Sequence, residues 1–214
     1  MSLYKSVKYM VAIAAIFWVI MGFETLTTVS LSHFGISPRS QSGLIGILAA
    51  PFLHANMAHL MSNTVPFIVL GTAILFFYRR IAIPAMALIY LGTGLAVWLF
   101  ARNSYHIGAS GVVYGFASFL FFIGVFRRDM KSLAIALVVV FLYGGLVYGI
   151  LPLYKGVSWE SHLFGAIMGG VAAYLLRKYK EIENIEKNAT REFDDYKTGY
   201  RNMESSNYKY QYKG

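Results

Sequence analysis

The sequence predicts an all-α, polytopic membrane protein with six transmembrane helices and both termini in the cytoplasm. Three observations lead there. Hydrophobic residues make up 57% of the 214-residue chain and charged residues only 14%, with a mean hydropathy of +0.54, whereas soluble domains carry about 25% charged residues. Several stretches lack any Asp, Glu, Lys or Arg over the roughly 18 residues needed to cross a hydrocarbon core of about 30 Å. The cations also segregate: once the stretches are threaded alternately, Lys5, Lys8, Arg79, Arg80, Arg127, Arg128, Lys131, Arg177, Lys178 and Lys180 fall on one side, and Arg39, Arg102 and Lys155 on the other. The positive-inside rule makes the first side cytoplasmic. The net charge of +9 is therefore a topology signal, not a nucleic-acid footprint. With no cysteine in the chain, disulfides and thiolate metal sites are excluded.

Span 1 is expected over 9–30. It follows a basic start, "MSLYKSVKYM", with no small-residue cleavage site before Glu24, so it reads as a retained helix rather than a signal peptide. The outer connection, 31–55, contains "GLIGILAAPFL", apolar but too short to cross, and is expected to lie in or dip into the outer interface. Spans 2 and 3 are expected over 56–78 and 81–101, joined by the "RR" turn at 79–80. Spans 4 and 5, over 110–126 and 132–151, are joined by "RRDMK" at 127–131, and span 6 covers 159–178. Such short turns make antiparallel neighbours. The membrane domain is thus 1–178. Residues 179–214 form a polar, tyrosine-rich cytoplasmic tail, expected to be part helical extension and part disordered.

Polar residues inside lipid are costly and ask for a reason. Three clusters carry them: "HANMAHLMSN" (54–63), "GASGVVYG" (108–115) and "WESHLFGAIMGG" (159–170), at the starts of the three spans that run inward. Asn63 lies 16 residues before Arg79, Ser110 17 before Arg127, and His162 15 before Arg177. At 1.5 Å per residue these are about 24, 26 and 23 Å, so three helices deliver polar groups to one plane near the outer boundary. Gly111 and Gly115 form a close-packing ridge on span 4, and Gly165 and Gly169 another on span 6. His162 is on the same face as the second ridge, and Ser110 and Tyr114 flank the first. Contact between the ridges would bring His162 to Ser110 and lay Tyr114 against the imidazole.

A serine hydroxyl needs a base to become a nucleophile, and an imidazole suits that task. Glu160 lies on another face from His162, so a dyad is expected rather than a triad. Donors for a developing oxyanion are at hand in His59 and Asn63, one turn apart on span 2, and in the amide of Ser110 at a helix N-terminus. The small residues around Gly108 would leave room for a substrate backbone.

These motifs resemble those of the rhomboid family of intramembrane serine proteases. "HANMAHLMSN" is similar to the family's span-2 pattern of two histidines and an asparagine, "GASG" with Tyr114 to its nucleophile motif, and "SHLFGAIMGG" to its span-6 motif. The resemblance implies Ser110 as nucleophile, His162 as general base, an oxyanion hole of His59, Asn63 and the Ser110 amide, and His54 nearby. It implies no cofactor and no metal. The implied substrates are single-span membrane proteins of the same bilayer, cut near the outer end of the span. The implied setting is the cell membrane, with a site opening outward. Many members carry a Trp-Arg pair in the first outer loop. Here "SPRS" (37–40) has no tryptophan. Arg39 is expected to substitute, with Glu24 as its partner.

Taken singly, each motif reads as packing: a small residue at a helix start, a buried histidine, an asparagine between helices. A zinc site of His54, His59 and His162 is the chemical rival, but "HANMAH" lacks the glutamate of a metalloprotease helix. An aspartyl mechanism fails because no Asp precedes Asp129. The alternative in another class is a catalytically inactive rhomboid-like scaffold that binds membrane helices.

Overall fold

The computed structural model describes residues 1–153, 156–179, 193 and 196–198. Contacts divide the chain into two units, 1–178 and 179–214. In the second, the described residues 193 and 196–198 are helical, with the Lys197 ammonium 4.7 Å from the centroid of the Phe193 ring. The expectations for the rest of the tail, and for Lys155, fall outside the described residues.

The first unit is helical throughout, and the one extended pairing among the described residues is an isolated bridge between Ile36 and His106. Its helices are α1 (Leu3–Thr27), the short α2 (Gly46–Ala49), α3 (Met57–Phe77), α4 (Ala82–Phe100), α5 (Ser110–Arg127), α6 (Met130–Tyr143) and α7 (Trp159–Leu176). Side chains cap three of them at the N-terminus. Ser2 accepts from the Lys5 amide at 3.3 Å, Asn56 from the His59 amide at 2.9 Å, and Asp129 from the Ser132 amide at 2.9 Å. The Ser2 cap explains why α1 begins six residues before the expected start of span 1.

Five stretches are long and apolar enough to cross a membrane: α1, α3, α4, α5, and α6 with the turns that follow it to Ile150. The chain is thus a multi-pass membrane protein. α7 has 18 residues, but Glu160, Ser161, His162 and three glycines lower its apolarity. Span 5, expected as one helix to 151, changes character at Gly144 and continues as a 3₁₀ helix to Ile150. Gly144, Gly145 and Gly149 are poor α-helix formers, which accounts for the change.

α5 occupies the middle of the bundle, with 61% of its span buried against 11% for the α6 stretch. Its Phe116, Phe119, Leu120 and Ile123 pack in one cluster with Leu70, Ile74, Tyr78 and Ile89. α5 meets α7 along the glycines. A Cβ at Gly165 would run into the carbonyl oxygen of Gly111, and one at Gly169 into that of Gly115. Small residues on both helices let the backbones touch, which lipid-embedded helices need in place of a hydrophobic driving force.

Between α1 and α3 the chain makes 3₁₀ turns at Ser32–Phe34, Ser42–Leu44 and Ala50–Phe52 around α2. Arg39 is not paired with Glu24. Its guanidinium donates to the carbonyls of Leu99 (3.2 Å) and Ala101 (2.8 Å) and to Asn103 Oδ1 (2.5 Å), closing the C-terminal end of α4. Glu24 instead accepts from the Leu31 amide at 2.7 Å. A tryptophan does anchor this loop, but from the neighbouring helix: Trp98 Nε1 donates to Ser40 O at 2.9 Å.

Candidate active site

Ser110 is the first residue of α5, so its amide has no acceptor within the helix and points out of the helix end. The loop before it is held by backbone bonds. Ile36 and His106 exchange N–H···O bonds of 3.0 and 2.9 Å, and the Gly108 amide donates to Ala50 O at 2.8 Å. Gly108 has φ +109°, a conformation that favours glycine. Its missing side chain has a second use, because a Cβ there would lie 2.6 Å from His59 Cε1. The absent side chain at Gly108 thus makes room for the His59 ring.

Ser110 Oγ lies 2.9 Å from His162 Nε2. On the far side of the ring, His162 Nδ1 is 2.8 Å from Gly149 O. A carbonyl can only accept, so Nδ1 carries the proton and Nε2 is left with its lone pair toward the serine O–H. Tyr114 stacks on the same imidazole, with centroids 4.2 Å apart and planes 4° from parallel. The Tyr114 hydroxyl fills the place where a Cβ on Gly149 would stand. The imidazole is thus held at one edge and one face.

His59 and Asn63 line the opposite side of Gly108. Asn63 is buried and donates one N–H to His59 O at 3.0 Å, leaving its second N–H uncommitted within its own helix. His59 Nδ1 accepts from the Ala55 amide at 3.5 Å, which leaves Nε2 as the ring's donor. His54 sits behind it, edge-on to His59 at 5.1 Å and tilted against Phe17 at 5.5 Å. Burial, and secondarily the neighbouring His59, push the His54 imidazole down to about 4. The structure therefore brings Ser110, His162, Tyr114 and Gly149 together as one cluster, and His54, His59, Asn63 and Gly108 as another beside it.

Glu160 is not in either cluster. It is buried, with Oε1 3.5 Å from Arg102 Nε. A polar clamp surrounds this pair. Arg102 Nη2 donates to Val157 O at 2.7 Å, His106 Nε2 donates to Arg102 O at 3.0 Å, and His106 Nδ1 accepts from Ser158 Oγ at 2.6 Å. Ser158 and Ser161 share a further bond of 2.6 Å. Burial holds the His106 imidazole below its usual range, which suits an acceptor nitrogen. The clamp fastens the nucleophile-bearing loop to the start of α7, two residues from His162. Neither this clamp nor Gly149 was read from the sequence. "HIGAS" and "WESH" held the clue to the first, since each places an ionisable residue beside a candidate catalytic one. The second is a backbone atom and leaves no residue signature.

Among the described residues no three of His, Asp and Glu gather to hold a metal ion. A cavity of about 410 Å³ lies between the end of α1 and the loops, lined by Glu24, Thr25, Ser30, His54 and Ile107 but not by Ser110.

Comparison with known proteins locates a Rhomboid domain over residues 41–179. An uncharacterized protein of Mycobacterium tuberculosis is 39% identical, over 74% of this chain and 76% of its own. One of Mycobacterium leprae is likewise 39% identical, over 76% and 68%. A Bacillus subtilis protein named "Putative rhomboid protease YdcA" is 23% identical, over 84% and 92%.

Proposed function

This chain belongs to the rhomboid family, and from that premise we propose that it is an intramembrane serine protease acting through Ser110 and His162. The observation that carries the proposal is the 2.9 Å approach of Ser110 Oγ to His162 Nε2, with Nδ1 anchored on Gly149 O.

In the proposed reaction Ser110 Oγ attacks the carbonyl carbon of a substrate peptide bond as His162 Nε2 takes the hydroxyl proton. The negative charge that develops on the carbonyl oxygen is met by the Ser110 amide, His59 Nε2–H and the free N–H of Asn63. Collapse of the tetrahedral intermediate breaks the C–N bond, and His162 returns the proton to the leaving amine. A water molecule then attacks the acyl ester with His162 again as base, releasing the carboxylic acid and restoring Ser110. Tyr114 and Gly149 keep the imidazole in the orientation both half-reactions require. No cofactor takes part.

α7 serves as the sixth crossing in this reading, supported by its 18-residue length and its packing against the central α5. The distribution of Lys5, Lys8, Arg79, Arg80, Arg127, Arg128, Lys131, Arg177 and Lys178 supports cytoplasmic termini and a Ser110 that faces the outer side. Substrates are membrane proteins whose spanning helix unwinds near that side.

The test is labelling of detergent-purified protein with a fluorophosphonate probe. Wild type should label and Ser110→Ala should not. Equal labelling, or none in a folded wild type, returns the chain to an inactive, helix-binding scaffold.

A further inference from the structure

At the end of the bundle remote from Ser110, a groove of about 390 Å³ opens between α1, α3 and the start of α4. Tyr9, Ile13, Leu75, Ile83 and Met86 line it, and Arg79 stands at its rim. The lining is almost wholly apolar, and Arg79 and Ile83 are exposed. Along α1 the groove reaches Ile13, about 15 Å from the helix start at Leu3 when counted at 1.5 Å per residue, or half of a hydrocarbon core of about 30 Å. A slot that deep, running along a helix that lies in the bilayer, matches one leaflet's acyl chain. Methionine gives the wall an adaptable surface for chains of different length and kink.

The charge at the rim selects the headgroup. Arg79 is the one cation among the residues that line the groove. Over residues 1–153 the carboxylates are Glu24, near the other end of α1, and Asp129, which caps α6. Arg79 has no ion pair among the described residues. A cationic rim above an apolar slot complements a lipid with an anionic headgroup. The geometry points to a binding site for one anionic phospholipid, its acyl chain in the groove between α1, α3 and α4 and its phosphate at Arg79. The site is independent of whether Ser110 is a nucleophile.

Native mass spectrometry of the full-length protein in neutral detergent tests it, with dioleoyl phosphatidylglycerol or dioleoyl phosphatidylcholine added. Wild type should retain phosphatidylglycerol about fivefold more than phosphatidylcholine, the factor for the roughly 1 kcal/mol that one cation contributes at an anionic lipid surface. Arg79→Gln should remove that preference, and Ile83→Trp, which fills the groove from an exposed position, should lower retention of both lipids. Arg128→Gln, a cation outside the groove, should leave the preference intact. Equal retention of the two lipids by wild type would overturn the proposal. So would an effect of Arg128→Gln as large as that of Arg79→Gln, or no effect of Ile83→Trp.

Discussion

Gly149 O and His162 Nδ1 are hydrogen-bonded at 2.8 Å, and through that contact a backbone carbonyl occupies the place that a carboxylate takes in a serine triad. The two residues come from different elements: the first lies in the 3₁₀ segment after α6, the second in α7. The orientation of the candidate base therefore depends on where that segment sits.

Weakening the Gly149 carbonyl should lower turnover without changing substrate binding. Replacing Ile150 by its α-hydroxy acid turns the Gly149–Ile150 amide into an ester, a poorer acceptor at the same position. We expect kcat to fall about tenfold at unchanged KM. The same replacement at Leu151, whose amide donates to Tyr148 O at 3.3 Å, controls for local loosening and should have little effect. Gly149→Ala should also be impaired, because its Cβ meets the Tyr114 hydroxyl, and adding Tyr114→Phe should recover part of the loss.

Asn63→Ala should reduce kcat by about 10²–10³-fold if its free N–H is a main oxyanion donor. Fluorophosphonate labelling of the same variant should slow in parallel, since the phosphonyl oxygen uses the same donors. A normal rate in both assays would confine Asn63 to holding its own helix through His59 O.

The glycine contacts between α5 and α7 should tolerate no side chain. Gly165→Ala places a Cβ against the Gly111 carbonyl, and overpacking of this kind costs about 1–3 kcal/mol. Gly170→Ala comes no nearer than 3.4 Å to a neighbour, at Phe122 Cδ2, and should be near neutral. Thermal unfolding in detergent, with activity measured alongside, compares the two. Equal tolerance of both would mean that the helices separate easily.

His54 should make the protein sensitive to mild acid. Its imidazole is held down to about 4 in the folded protein, chiefly by burial, whereas an unfolded histidine titrates near 6.5. Between these values the unfolded chain binds a proton that the folded one refuses, so stability is lost as pH falls through that window. His54→Phe keeps a ring against Phe17 and His59 and should shrink the drop in melting temperature between pH 7 and pH 4.5. An unchanged drop would assign the sensitivity to other groups.

The register of the polar residues could be read from the sequence because a helix in lipid is a ruler. Counting residues from the cationic turns gives Asn63, Ser110 and His162 similar distances to those turns, the i, i+3 and i+7 spacing puts His162 on the glycine face, and the 2.9 Å approach of Ser110 Oγ to His162 Nε2 agrees with both. The 3₁₀ segment was less legible, since "YGGLVYG" continues an apolar run and length alone favours one long helix. Arg39 was assigned the wrong partner for a related reason. Opposite charge nominated Glu24, but the guanidinium caps the open carbonyls of Leu99 and Ala101 at the end of α4, and Glu24 accepts from the Leu31 amide.

What the sequence by itself determined was the membrane class and the approximate course of the apolar helices along the chain. Those properties depend on apolar length, helical period and the distribution of cations, all of which are local. Only the tertiary structure decided that Gly149 O faces His162, that the His59 ring covers Gly108, and that Trp98 anchors the loop beside Arg39. Each joins atoms that are distant along the chain or belong to its backbone, and such pairs are chosen by how helices pack rather than by which residues occur.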